Sequence, residues 1–151
     1  MGVHRVTGVV AGLALGLLIS GSAGAKELIK YKIVDEGIPK ALTAKPGDPK
    51  AGRKAAINRK QGNCLACHKL PAPEQQFHGE VGPDLKGVAE RLSEAEIRLR
   101  IVNPKVVNEE TIMPSFYRNA GLHRVLKKWQ GKTILSAQQV EDIVAYMKTL
   151  K

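Results

Sequence analysis

Cys64, Cys67 and His68 are the residues of this chain whose types and spacing point most directly to chemistry. They fall in the run Cys64-Leu65-Ala66-Cys67-His68. Two thiols three positions apart can add to the two vinyl groups of one porphyrin, and Cys-x-x-Cys-His is the attachment sequence of a c-type haem. The histidine directly behind the second thiol then has its imidazole at the iron as proximal ligand. Other chemistries fit poorly. A zinc half-site needs a second ligand pair, and Cys64 and Cys67 are the only cysteines. A thioredoxin-like redox pair sits beside a βαβ pattern, which the sequence does not carry. An oxidising compartment could join the two thiols as a disulfide, but His68 in the next position argues for haem.

One covalent haem c is therefore expected, with a second axial ligand from elsewhere in the chain. The candidates are Met113, Met147, His78 and His123. Met147 falls on the apolar stripe of the last helix, which suits a core residue. His78 is close behind His68, so its loop would have to pass around the macrocycle edge to reach the opposite face. His123 lies between Leu122 and Arg124 in a basic stretch and reads as a surface residue. Met113 lies in a loop that Pro114 stiffens, and a thioether is a soft ligand that suits haem iron and raises its potential. The residues favour Met113.

The elements that must position these groups follow in order. Residues 1–25 read as a cleaved secretory signal. They have a short basic start at Arg5, an apolar run over 9–19, and a cleavage site at Ala23-Gly24-Ala25. The run is shorter than the roughly 20 residues that span a bilayer, so the mature chain is expected in the periplasm without a membrane span. Residues 26–47 form an N-terminal extension, an arm with a short strand expected over 30–34. The haem domain is expected over 48–151. Asp48-Pro49 opens a helix expected to reach about residue 60, with Gly52 inside it for close approach of another helix. Ser93-Glu94-Ala95-Glu96 is a capping box opening a second helix, which Asn103-Pro104 ends. Ser136-Ala137-Gln138-Gln139 opens the last helix, with Val140, Ile143, Val144, Met147 and Leu150 on its core face. Residues 106–129 read as mostly irregular.

The formal charge is +10 and aromatic residues are 4% of the chain. The leader removes only Arg5 from that balance. A small domain with so few rings has little large apolar surface of its own. A porphyrin would supply it, so the chain without haem is expected to fold poorly. The basic residues of the first helix read as a solvated face.

The order of parts resembles a class I cytochrome c: N-terminal helix, Cys-x-x-Cys-His, Gly-Pro loop, middle helix, Met-Pro loop, C-terminal helix. The resemblance implies an all-α fold of three or more helices around one covalent haem, with long loops. It also implies that the first and last helices cross, with Tyr146 or Met147 opposite Gly52. The Pro83 carbonyl would orient His68 by accepting its Nδ1–H, a contact that tunes a ligand from behind.

A closer resemblance is to the SoxX family, the small monohaem cytochrome subunits of periplasmic SoxAX complexes. It rests on Gly47-Asp48-Pro49 with Gly52-Arg53, on Gly62-Asn63-Cys64-Leu65-Ala66-Cys67-His68, on the loop from Phe77 to Leu85, on Met113-Pro114-Ser115-Phe116-Tyr117-Arg118, and on the stretch from Gly131 to Tyr146. Carried over, Cys64 and Cys67 bind haem, and His68 and Met113 ligate its iron. The resemblance implies a share in sulfur oxidation, in which thiosulfate is joined to a cysteine of a SoxYZ-type carrier. The partner would be a SoxA-type subunit with one or two haems, and electrons would pass to a downstream acceptor. Both cysteines here are taken by haem and both axial positions by protein, so no catalytic residue is assigned and the chain is expected to relay electrons. The long loops at 77–81 and 116–118 are expected at the partner interface, with Phe116 and Tyr117 buried there. Nucleic acid is not among the expected partners. The alternative is a free-standing periplasmic class I cytochrome c serving an oxidase or reductase.

Overall fold

The computed structural model describes residues 1, 2 and 28–151. All but two residues of the expected signal lie outside the described residues. Among the described residues there are four α-helices and no strand: α1 (Pro49–Ile57), α2 (Val88–Arg91), α3 (Glu94–Val102) and α4 (Ala137–Met147). Three-residue 3₁₀ turns fall at Cys64–Ala66, Pro104–Val106 and Lys127–Trp129. No described helix is long and apolar enough to cross a membrane.

Each long helix starts where a capping residue meets its orphan amides. The Asp48 carboxylate accepts from the Lys50 and Ala51 amides at 2.8 and 3.4 Å, and Pro49 occupies the first turn. Reciprocal capping boxes at Ser93/Glu96 and Ser136/Gln139 start α3 and α4. α1 stops at Ile57, short of the residue 60 expected. Asn58 turns the chain there: its side chain accepts from the Lys60 amide at 2.8 Å and its carbonyl from the Gln61 and Asn63 amides. An asparagine offering such local bonds competes with continued helix. The exposed residues of α1 include Lys50 and Lys54, as a solvated face requires, while Arg53 pairs with Glu74.

α1 crosses α4 with Gly52 at the contact. A Cβ on Gly52 would sit 1.8 Å from the Asp142 carbonyl oxygen, and one on Gly47 would sit 2.2 Å from that of Glu141. The backbones thus meet at Glu141–Ile143, not at Tyr146 or Met147 as expected, because the crossing falls about one turn nearer the start of α4. Val140, Ile143, Val144, Met147 and Leu150 are all buried, as the periodicity indicates.

A buried ion pair locks this frame. Arg98 of α3 meets Glu141 of α4 through two parallel bonds, Nε to Oε1 at 2.8 Å and a terminal nitrogen to Oε2 at 3.0 Å. The other Arg98 terminal nitrogen donates to the Ile38 carbonyl at 2.7 Å, and Glu141 Oε1 also accepts from the Leu42 amide at 2.9 Å. The N-terminal segment is therefore tied to both helices, with Ile38 and Leu42 in the core. Residues 30–34 form no strand. Among its described residues the segment's only bridge is Val34 to Gly37, closed across Asp35 and Glu36, both at positive φ. A two-residue turn with φ > 0 at both centres has the mirror-image form favoured in hairpins, but no ladder extends from it.

Candidate functional site

The motif folds as a tight turn. Asn63, in the left-handed region, leads into the 3₁₀ turn Cys64–Ala66. The Cys67 and His68 amides both donate to the Cys64 carbonyl, at 3.1 and 2.9 Å. Leu65 anchors the turn in the core, while Cys64 and Cys67 are half-buried free thiols. Before any attachment, burial pushes the free Cys64 thiol up to about 11.

The loop at 79–85 lies against this turn. Three backbone bonds join them: Gly79 N–H to Leu65 at 2.7 Å, Gly82 N–H to Cys67 at 2.7 Å, and Leu85 N–H to Lys69 at 3.0 Å. The approach needs glycine. A Cβ on Gly79 would sit 2.2 Å from the Ala66 oxygen, and one on Gly82 would sit 2.3 Å from His68 Cε1. One residue further, the Pro83 carbonyl lies 2.7 Å from His68 Nδ1. A carbonyl can only accept, so that proton is on Nδ1 and the Nε2 lone pair is free for a metal. The Gly-x-x-Gly-Pro spacing beside the motif is the signal that marks Gly79 and Gly82 as positioning residues, which sequence reasoning did not single out.

Met113 is half-buried and packs against the core. Its loop is pinned on both sides: the Met113 amide donates to Thr111 Oγ1 at 3.2 Å, and Ser115 Oγ bonds Asn103 Oδ1 at 2.9 Å. Lys105 Nζ donates to the carbonyls of Glu109 and Thr111 at 2.9 and 2.7 Å. The other ligand candidates lie in different settings. Met147 is in the core and His123 is exposed. His78 uses both ring nitrogens within its own loop. Nδ1 accepts from the Leu70 amide at 3.2 Å, and Nε2 lies 3.1 Å from the Gln75 carbonyl. Among the described residues no cluster of three His, Cys, Asp or Glu side chains gathers to hold a bare metal ion.

The two loops expected at an interface differ. Phe77 and Val81 are 79% and 68% exposed, whereas Phe116 and Tyr117 are 7% and 4% exposed. Phe116 and Tyr117 are core residues: their amides donate to Ile101 and Val102 at the end of α3, and the Phe116 carbonyl accepts from Leu135. They do not form a contact surface for a partner. The expectation failed because apolar residues in a long loop look alike in sequence whether they face inward or outward. A cavity of about 680 Å³ lies behind the motif, lined by Ile57, Leu65, Ala66, Phe77 and His78 among others. It includes none of Cys64, Cys67, His68 and Met113.

This helical frame, with a Cys-x-x-Cys-His turn backed by a Gly-Pro loop, matches the cytochrome c family model over residues 39–151, and the chain belongs to that family. No curated protein sequence matches it. Among solved structures it is similar to a chain in the crystal structure of SoxXA from P. pantotrophus, at 37% identity and a TM-score of 0.74, covering 80% of this chain and 94% of that one. Within the family it is a SoxX-type class I cytochrome c, and its cofactor is covalent haem c. The residues fit that group. Two free thiols sit on one turn, an imidazole has one nitrogen satisfied from behind, and a glycine lets the supporting loop pack against that ring.

Proposed function

We propose that this chain is the electron-relay subunit of a periplasmic SoxAX-type complex, with the domain that carries the haem spanning residues 48–151 behind a leader at 1–25 and an extension at 26–47. Cys64 and Cys67 would hold the haem as thioethers, and His68 and Met113 would ligate its iron. Bound there, the haem supplies a one-electron couple. Pro83 keeps the proton on His68 Nδ1 and restrains the ring, leaving the Nε2 lone pair free to ligate the iron that a haem would bring. Gly82 lets the backbone close over that ring, and the pinned loop at 111–115 presents the Met113 thioether.

The reaction assigned to the whole complex joins thiosulfate to a cysteine of a SoxYZ-type carrier. A sulfur–sulfur bond forms, the thiol loses its proton, and two electrons leave. This chain has neither a spare thiol nor an unassigned axial position for that bond-forming step, so the step belongs to the SoxA-type partner. The two electrons would therefore leave through this chain one at a time, to a downstream acceptor. The exposed Phe77 and Val81, on the loop that backs His68, form the apolar part of the partner contact. The observation that carries this reading is the held imidazole, His68 Nδ1 at 2.7 Å from the Pro83 carbonyl, in a chain whose only thiols are those of the haem motif.

Reconstitution tests it. The purified holo-chain alone should be reducible but should not join thiosulfate to the carrier cysteine. Adding the SoxA-type subunit should start that reaction, and the two should co-elute on gel filtration. Thiosulfate-dependent turnover by the isolated chain would refute the relay role. A persistent monomer beside the SoxA-type protein would favour a free-standing carrier.

A further inference from the structure

The stretch from Thr111 to Val140 contains no Asp or Glu, yet carries Arg118, Arg124, Lys127, Lys128 and Lys132. Arg124, Lys127, Lys128 and Lys132 are exposed, and no carboxylate among the described residues pairs with any of the five. Elsewhere acidic residues are interspersed, and some cations are neutralised in place. Arg53, Lys69, Arg98 and Lys148 all have acidic partners. The lobe is nevertheless a defined shape. Arg118 donates to the carbonyls of Ala120 and Gly121 at 2.9 and 3.1 Å, and Lys128 lies 6.0 Å from the centre of the Trp129 ring. The lobe encloses an open cavity of about 360 Å³, lined in part by Leu122, Arg124, Val125 and Trp129, and Leu126 beside it is 66% exposed.

We propose that residues 118–132 form a docking surface for an acidic redox protein that exchanges electrons with the haem from the Met113 side. The proposal rests on the relay reading above and assigns that exchange a place. Three observations select a protein surface. The cations are spread: only Arg124 of the five lines the cavity, so the site does not converge on one small dianion. Exposed apolar groups lie among the charges, which is the mixture of apolar centre and charged rim that protein contacts use. The near edge of the lobe is also close to the site, since Arg118 is five residues from Met113 and chain reach limits that span to about 18 Å. An array of one sign raises the encounter rate of an opposite charge by roughly 10- to 1,000-fold, and salt removes the gain.

The test uses holo-protein and flavodoxin hydroquinone, a small acidic redox protein, as the probe. One electron passes from the flavin, which is oxidised, to ferric haem, which is reduced. Arg124→Glu, Lys127→Glu, Lys128→Glu should lower the second-order rate about tenfold or more at low ionic strength and flatten its salt dependence. Calorimetric binding of oxidised flavodoxin, which involves no turnover, should weaken by a similar factor. Lys50→Glu, Lys54→Glu, Lys60→Glu makes the same change in net charge on and just beyond α1 and should have a much smaller effect. Equal losses in both variants would overturn the proposal, since net charge alone would explain them. It would also be overturned if the lobe variant lost binding to phosphatidylserine vesicles, or to thiosulfate, while its flavodoxin kinetics stayed unchanged. Reduction by neutral hydroquinone should match in all three proteins. A haem that exchanges electrons with neither probe would instead count against the relay reading.

Discussion

The helical frame and the haem-side loops are held by different means. In the frame, α1, α3 and α4 meet through buried side chains, a glycine crossing and the Arg98–Glu141 pair, which also ties down Ile38 and Leu42. On the haem side, single backbone bonds join the motif turn to the 79–85 loop, and short side-chain ties hold the Met113 loop to itself and to the end of α3. These segments carry the half-buried His68 and Met113, proposed above as ligands, on irregular chain. The frame can define its own geometry. The loops have the contacts needed to aim groups at a haem but little core of their own, so they should depend on the haem far more than the frame does.

The largest expected effect comes from removing the haem. A Cys64→Ala, Cys67→Ala, His68→Ala chain should retain part of its helical circular dichroism but lose amide protection in residues 63–85 and 107–115, and it should not melt cooperatively near the wild-type temperature. A cooperative melt at that temperature would erase the contrast between the two regions.

Next in size is Glu141→Ala, which leaves the buried Arg98 guanidinium with the Ile38 carbonyl and only the exposed Glu94 carboxylate at 4.0 Å. Breaking such a buried pair costs about 3–5 kcal/mol, read by denaturant unfolding of the holo-protein. The haem absorption spectrum should stay unchanged, because the damage lies in the frame. Gly52→Ala should cost about 2 kcal/mol or more, since its Cβ meets main chain that cannot move aside as a side chain could. A cost below about 0.5 kcal/mol for either, outside the range expected of these mechanisms, would show that the frame is looser than its contacts imply.

The smallest effect is at the α3 cap. Ser93→Ala should cost about 1 kcal/mol. Bonds from the Ser93 amide and hydroxyl hold Glu96 below the usual carboxylate range. A carboxyl depressed in the folded state contributes stability above its unfolded value, and that contribution is lost as pH falls through the folded one. The wild type should therefore lose more stability than Ser93→Ala on going from neutral pH to below the carboxylate range.

What sequence could show follows the same divide. The starts of α1, α3 and α4 were readable because a cap and its helix are neighbours in the chain, and the buried face of α4 because its period is local. The haem motif was readable because five consecutive residues carry its chemistry. Long-range pairings were not. Nothing near Arg98 indicates that its carboxylate lies on α4, and Gly52 marked a crossing without saying which turn it met. Phe116 and Tyr117 read as surface for a partner until their bonds to Ile101 and Val102 placed them in the core. The four-residue α2 is too short for any period to show.

The central claim is that the haem-side loops hold one haem between His68 and Met113. The ferric absorption spectrum of holo-protein, recorded for wild type and Met113→Ala, tests it most directly. The wild type should show the weak near-infrared sulfur-to-iron band of thioether ligation. Met113→Ala should lose that band, turn high-spin or water-ligated, and drop in reduction potential, because the soft ligand is gone. A sulfur-to-iron band that persists unchanged in Met113→Ala would contradict the account and put the sixth ligand on another residue.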